Sequence, residues 1–303
     1  GKDRGSIVLE KRIENRFWFQ KIKRNNLSLI FRKYKNYYLT QNFKKPFPTI
    51  EVGDFIIKLA EKRSEIKHAQ SLRYSVFYKE RNARASLSKK LFRRDYDQVD
   101  NFADHLIVID KTRKNFNNKI IGTYRLMRGD LASQFGGFYT SAEFDLYNIV
   151  NLFKKNEILE LGRSCVHKDY RNGTTMNLLW KAIANYVNMY DIKILLGCVS
   201  FPGTDVIKFS NQLSYLKQNH SLPKELSVES LDNNIYPIDN SENKNLSDIK
   251  TFVKLPPLIK GYLRVGGKVS ESFFVDHEFN TIDLCVVVKT DNINDKYKKK
   301  FLH

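Results

Sequence analysis

The sequence predicts an α+β domain, a central mixed β-sheet flanked by helices. Three observations predict it. From Val52 onward, short apolar runs of strand character alternate with segments whose apolar residues recur at helical spacing. One pair of runs, 105–110 and 119–127, is joined by a polar turn and reads as a hairpin, so the sheet is not all parallel. The 303 residues, 42% of them hydrophobic and 13% aromatic, supply a sizeable core. No apolar run approaches the roughly 18–20 residues that a membrane-spanning helix needs.

The elements follow in order. Residues 55–60 read as a strand. Ser64 is positioned to cap a helix carrying Ile66, Ala69, Leu72 and Val76 on one face. After the hairpin with its polar turn at 111–118, residues 158–167 form another strand. Residues 174–190 form a helix, with Met176, Leu179, Trp180, Ile183, Tyr186 or Val187, and Tyr190 on one stripe. A strand at 193–201 and a helix at 205–219 come next. The Asn- and Ser-rich stretch 221–254 reads as a long insertion. Pro256 and Pro257 then open a short helix, followed by strands near 273–277 and 284–289. There is no internal repeat.

Charge narrows the function classes. Of the net +19, +10 falls in the first fifty residues, where thirteen Lys/Arg face three acids. There Phe17, Trp18, Phe19, Phe31, Tyr34 and Tyr37 interleave with Lys21, Lys23, Arg24, Arg32 and Lys33. Residues 1–51 therefore read as a basic-aromatic segment, either an arm for an anionic membrane surface or a stretch whose rings pack back on the domain at 52–303. A field of this sign favours polyanions: nucleic acid, an anionic bilayer or an acidic carrier protein. No nucleic-acid-binding motif is present, so no nucleic-acid partner is expected. Cys165, Cys198 and Cys285 are isolated and odd in number, which argues against a disulfide framework and against a paired-thiol metal site. The expected setting is cytoplasmic, peripheral on the inner face of the membrane, with no metal.

Four clusters carry candidate chemistry. Arg73 and Phe77 form an i, i+4 pair on one helix face. Asp97, Asp100 and Asp104 come together if their segment is helical. Arg125 lies on the hairpin strand Gly122-Thr123-Tyr124-Arg125-Leu126. Glu160 and Arg163 lie on the strand Leu159 to Val166.

At these residues the sequence resembles the bacterial ornithine N-acyltransferases that make lyso-ornithine lipid, members of the GNAT superfamily. The runs LRYSVFY, DHLIVID, GTYRL, FYTSAEFDL, LELGRSCVH, YRNGTTMNLLW, GCVSFPGTD and LPPLIKGYLR carry the resemblance in order, over residues 52 to 295. It implies a GNAT-like N-acyltransferase fold. It also implies transfer of a 3-hydroxy fatty acyl chain from acyl carrier protein, held as a 4′-phosphopantetheine thioester, to the α-amine of L-ornithine. No bound cofactor is implied. More distantly, Arg73, Phe77, Asp97, Asp100, Arg125, Glu160 and Arg163 resemble the pattern of acyl-homoserine-lactone synthases. Those place a Trp in their adenosylmethionine pocket where this chain has Ala83, which favours the lipid-forming reading. Glutamine, glycine or lysine remain alternative acceptors.

Aminolysis of a thioester needs a neutral amine beside a polarised carbonyl. Glu160, between Leu159 and Leu161 on a central strand, is the candidate base, because desolvation raises a carboxyl pKa. The alternative is a structural salt bridge to Arg163 or Arg125. Residues three apart on a regular strand point to opposite faces, so Glu160 and Arg163 share a cleft only if the strand bulges; Gly162 marks the expected bulge. A bulge also splays the neighbouring strand, leaving a slot for the donor's pantetheine arm. Asp97, Asp100 and Asp104 suit an acceptor with two ammonium groups. Arg73, Arg125 and Arg163 suit a carboxylate or phosphate, or pair with those same acids. Phe77 and Ser164 are assigned to the acceptor side, and Val166, Arg171, Gly173 and Thr174 to the donor. The stretch Arg171 to Met176 lacks the glycine spacing that cradles a coenzyme A pyrophosphate, which favours a carrier-protein donor.

Overall fold

The computed structural model describes residues 46–115, 119–232 and 248–292. Most of the basic-aromatic segment and the middle of the expected insertion lie outside them.

The main sheet runs in the order β1 (Ile50–Val52), β2 (Phe55–Leu59), β3 (Asp104–Asp110), β4 (Ile120–Arg128), β6 (Ile158–Val166), β7 (Ile194–Pro202), β11 (Thr281–Lys289), β10 (Phe274–Asp276), with β9 (Lys268–Val269) also beside β11. A small second sheet pairs β5 (Phe144–Asp145) with β8 (Glu229–Ser230). Among the described residues, β6 and β7 make the one parallel pairing of the main sheet. The mixed sheet is therefore as expected.

The alternation of strand side chains sets the layers. One face carries Leu106, Val108, Tyr124, Leu126, Leu159, Leu161, Val199 and Phe201, and α5 (Thr174–Tyr190) covers it with Leu178, Leu179, Ala182, Ile183 and Tyr186. Burial of each such aliphatic side chain is worth about 1.5–3 kcal/mol. The opposite face is shared. α1 (Arg63–Tyr74), which runs on into a π-helical turn at Ser75–Glu80, packs Ala69, Leu72 and Val76 on Ile107, Ile120 and Cys165. Farther along, Phe138, Phe144 and Ile149 join Leu222, Leu226 and Val228 over Leu196, Cys285 and Val287. The stretch between these two groups holds the buried charged residues described below. The smaller helices are α2 (Leu87–Phe92), α3 (Gly129–Ala132), α4 (Tyr147–Leu152), α6 (Ser210–His220), α7 (Asp248–Val253) and α8 (Pro257–Arg264). None of the described helices is long and apolar enough to cross a membrane.

Several expectations need correction. Ser64 does not cap α1; the helix starts at Arg63, and the Glu65 carboxylate caps it by accepting the N–H groups of Glu61 at 2.8 Å and Lys62 at 3.0 Å. The domain starts before residue 52, since Ile50 already pairs with Ile57 and the Phe47 ring lies 6.1 Å from that of Tyr186. The expected insertion is anchored at both ends: Leu222, Leu226 and Val228 are core residues and Thr251 of α7 is buried. The last strand is longer than expected, all nine residues of β11 pairing with β7.

Candidate active site

The site is built on an irregularity in the sheet. Between β4 and β6, Thr123 pairs with Cys165 and Arg125 with Gly162, so Tyr124 faces the two residues Arg163 and Ser164. This is the expected bulge, but the left-handed residue is Arg163 (φ 51°) rather than Gly162. That conformation costs a non-glycine residue on the order of 1–3 kcal/mol. Its side chain offsets the cost: Nε donates to Asp95 Oδ2 at 3.1 Å and Nη2 to Asp97 Oδ2 at 3.1 Å, while the guanidinium lies 4.5 Å from the ring centres of both Tyr139 and Phe279. The extra residue brings Arg163 to the face that Glu160 occupies, and both touch Tyr139. The splay is present as well. β6 and β7 are in register at only three pairs, ending at Glu160 and Leu196. At the parting point the strands press together: a Cβ on Gly197 would lie 2.2 Å from the Leu161 carbonyl oxygen.

Glu160 is buried and makes none of the expected salt bridges to Arg125 or Arg163. Instead the N–H of Tyr139 donates to Oε1 at 3.0 Å and that of Thr140 to Oε2 at 2.7 Å. Burial pushes its pKa above the usual carboxylate value; the Thr140 bonds and the Arg125 charge only partly restrain the rise. With these two bonds and one from the Thr140 side chain, the carboxylate still keeps acceptor capacity for a proton.

The arginines and aspartates find one another. Arg73, 1% exposed, donates from Nε to Asp95 Oδ2 at 2.7 Å and from Nη1 and Nη2 to Asp100 at 2.8 and 3.1 Å. Arg125 Nη1 reaches Asp97 at 2.7 Å and Asp100 at 2.9 Å. Burial raises the Asp100 carboxyl, but Arg73 and Arg125 outweigh it and hold the group well below its ordinary value; Arg73 and Arg163 do the same for Asp95. Three guanidinium and three carboxylate charges cancel in this network. Its third acid is Asp95, which sequence reasoning missed because it fell outside the Asp97, Asp100, Asp104 spacing.

Asp104 is not part of it. It opens β3 rather than continuing a helix, so it points to the α5 face, where the Tyr186 hydroxyl donates to it at 2.6 Å and Arg128 lies 3.7 Å away. Phe77 lies in the π-helical turn, edge-on to Phe279 at 5.9 Å. The Ser164 side chain turns to the Tyr124 hydroxyl, away from Glu160. The donor-side residues cluster at the end of β6: Arg171 Nε donates to the Val166 carbonyl at 3.0 Å, Gly173 (φ 92°) makes the turn, and Thr174 starts α5, its N–H bonded to Asn172 Oδ1.

A second acidic group lies on the Glu160 face and was not foreseen. Glu143, Asp276 and Asp283 are all buried or nearly so, with carboxylate oxygens within 4.8 Å of one another. Cys198 donates its thiol to Glu143 at 3.3 Å. Burial, with Glu143 and Asp283, pushes the Cys198 thiol well up, and burial lifts Cys165 to about 12, so neither is poised as a nucleophile. One signal was available in the sequence: Asp283 interrupts the otherwise apolar strand Ile282 to Val288.

A family model described as "Acetyltransferase (GNAT) domain" matches residues 72–181. An L-ornithine N(alpha)-acyltransferase of Rhodobacter capsulatus is 37% identical over 80% of this chain and 93% of its own length. One of Agrobacterium fabrum is 36% identical over 81% of this chain and 84% of its own. The chain belongs to the L-ornithine N(alpha)-acyltransferase family. It is thus an acyltransferase with a GNAT domain, as the resemblance implied. Among solved structures, the AHL synthase LasI covers 82% of this acyltransferase at 12% identity with a TM-score of 0.42, too distant to carry an argument.

Proposed function

We propose that this acyltransferase moves a 3-hydroxy fatty acyl chain from acyl carrier protein to the α-amine of L-ornithine, giving lyso-ornithine lipid, with Glu160 as general base. The observation that carries this reading is the position of Glu160: a buried carboxylate of raised pKa on the last registered pair before β6 and β7 part. The relatives' names support ornithine as acceptor.

The thioester arm of the donor adds its amides to the parted strand edges, toward the turn at Arg171 to Thr174. The α-ammonium of ornithine gives one proton to Glu160 and attacks the thioester carbonyl carbon. The C–N bond forms, and the C–S bond breaks as the tetrahedral oxyanion collapses. The proton shed by the nitrogen goes to the departing thiolate. Arg163, Tyr139 and Thr140 hold the site: the first keeps the bulge, the other two fix the carboxylate. The Asp95, Asp97, Asp100 network, already neutralised by arginines, positions Arg125 and Arg163 rather than receiving ammonium groups. The positive charge outside the first fifty residues, +9 of the net +19, complements an acidic carrier protein, and residues 1–51 serve an anionic membrane surface where the amphiphilic product is released.

The test is thiol release from 3-hydroxyacyl carrier protein with ornithine, lysine, glutamine or glycine. Release with ornithine, and a loss of about 10²–10⁴ in kcat for Glu160→Gln, is expected. As pH falls, the rate should drop at a higher pH than an ordinary carboxylate would give, because the raised group takes up its proton sooner. Undiminished turnover by Glu160→Gln would falsify the base, and release with another acceptor alone would move the product.

A further inference from the structure

Glu143, Asp276 and Asp283 have no counter-charge: among the described residues, no Lys or Arg forms an ion pair with any of the three. Asp283 is only 4% exposed, and its Oδ1 is fully buried without a hydrogen-bond partner. The side chains of Ser200, Thr281 and Glu143 lie against the Asp283 carboxyl, and a further cationic or donor group would satisfy the buried Oδ1, which is costly to leave unpaired. Asp276 is anchored by the N–H groups of Glu278 at 2.7 Å and Phe279 at 2.9 Å, both to Oδ1. Glu143 is fixed by Cys198. The trio is thus held in place by its surroundings and not by its own charges.

Its location relative to Glu160 is set by one short segment. The 3₁₀ turn Tyr139–Ala142 presents the N–H groups of Tyr139 and Thr140 to Glu160 and leads directly into Glu143. Three residues of such a turn, from Thr140 to Glu143, rise about 6 Å. Three methylenes separate the α-carbon of ornithine from its side-chain nitrogen, a chain of about this reach. Cys198 bridges the interval, 3.8 Å from the Thr140 hydroxyl and 3.3 Å from Glu143.

We infer that Glu143, Asp276 and Asp283 receive the side-chain ammonium of a dibasic amino acid whose α-amine faces Glu160. This rests on the function proposed above and names the part of the site that selects its acceptor. A primary ammonium offers three donors, one for each carboxylate, including the unpartnered Asp283 Oδ1. Burial and the neighbouring carboxylates raise the carboxyls of both Glu143 and Asp283, the latter to about 6, and an ammonium placed among them relieves that repulsion. The inference also assigns selectivity: an acceptor without the side-chain amine leaves those carboxylates unpaired and is rejected.

The experiment has two readouts on the full chain. The first is thermal unfolding with ornithine or norvaline, which lacks the side-chain amine, and without donor. Ornithine should raise Tm and norvaline should not, and Asp283→Asn and Glu143→Gln should each abolish the ornithine shift. The second is steady-state turnover with 3-hydroxyacyl carrier protein. Each variant should raise the ornithine KM tenfold or more, and the preference for ornithine over norvaline should fall with it. An unchanged ornithine KM in folded Asp283→Asn and Glu143→Gln, with wild-type turnover intact, overturns this inference and leaves the proposed function standing. A Tm rise with Mn²⁺ or Ca²⁺ but none with ornithine also overturns it, making the trio a metal site. No wild-type turnover with any amino acid overturns the proposed function itself.

Discussion

In the Arg73, Arg125, Arg163 network each carboxylate meets a guanidinium within 3.1 Å, whereas at Glu143, Asp276 and Asp283 carboxylates meet one another. Both groups are buried on the same face of one sheet. The first is an internal ion cluster whose desolvation is repaid within the fold, and it holds Asp95 and Asp100 in their charged forms. In the second, burial and neighbouring carboxylates shift Glu143 and Asp283 the other way. Charge that is balanced at home builds a scaffold; charge left unbalanced beside a reactive group waits for a ligand. The spacing of acids in a sequence does not separate the two cases, because the arginines that decide it come from distant strands.

Arg73 is where the balanced network is most exposed to substitution. Arg73→Met removes the partner of two buried aspartates and should cost about 3–5 kcal/mol in denaturant unfolding, or prevent folding. A loss below 1 kcal/mol would mean that the network is dispensable. The pH dependence sharpens the contrast. Asp283 has a folded pKa of about 6, above the ordinary 3.8, so its contribution to stability is complete below about 3.8 and is lost as pH rises to 6. Asp95, held below its ordinary value, contributes above that value and loses its contribution as pH falls. Asp283→Asn should therefore be more stable than the parent at pH 7.5, by up to about 3 kcal/mol, with the gap closing below pH 6. A variant less stable than the parent at pH 7.5 contradicts the unpaired charge. Gly197→Ala drives a methyl against the Leu161 carbonyl and should cost about 1–3 kcal/mol, with a loss of turnover as the strands part differently. The smallest effect belongs to Asp104→Asn. It should lose about 1 kcal/mol through its Tyr186 bond and leave KM for the acceptor unchanged, since Asp104 faces the other side of the sheet.

Much of this was legible in the sequence, and particular residues show where legibility ends. The α5 limits, 174 and 190, follow from an uninterrupted apolar stripe bounded by Gly173 and Asp191, both left-handed. The need for a bulge followed from the strand period alone, since Glu160 and Arg163 cannot otherwise share a face. That Arg163 and not Gly162 takes the strained conformation depends on Asp95, Asp97, Tyr139 and Phe279, which arrive from three other segments. Asp104 was misplaced because a spacing of four means proximity in a helix and separation where a strand begins. Asp283 stood out in its apolar strand, but its grouping with Glu143 and Asp276 was not legible, because the members lie more than a hundred residues apart or on different strands, and register joins them. Ser64 lost its capping role to Glu65, whose side chain reaches back to two N–H groups.

The short register between β6 and β7 has a mechanical consequence. β7 is laced to β11 by nine pairs, but to β6 by three, so the sheet consists of two stiff plates joined along a brief seam, with α5 lying across the join. Bending concentrates where a plate is least fastened. The gap can widen or narrow by a small rotation of one plate against the other, without loosening any antiparallel ladder. A donor arm entering the gap as proposed above would meet the compliance of this seam, while Glu160 on one plate and Asp283 on the other keep their own surroundings.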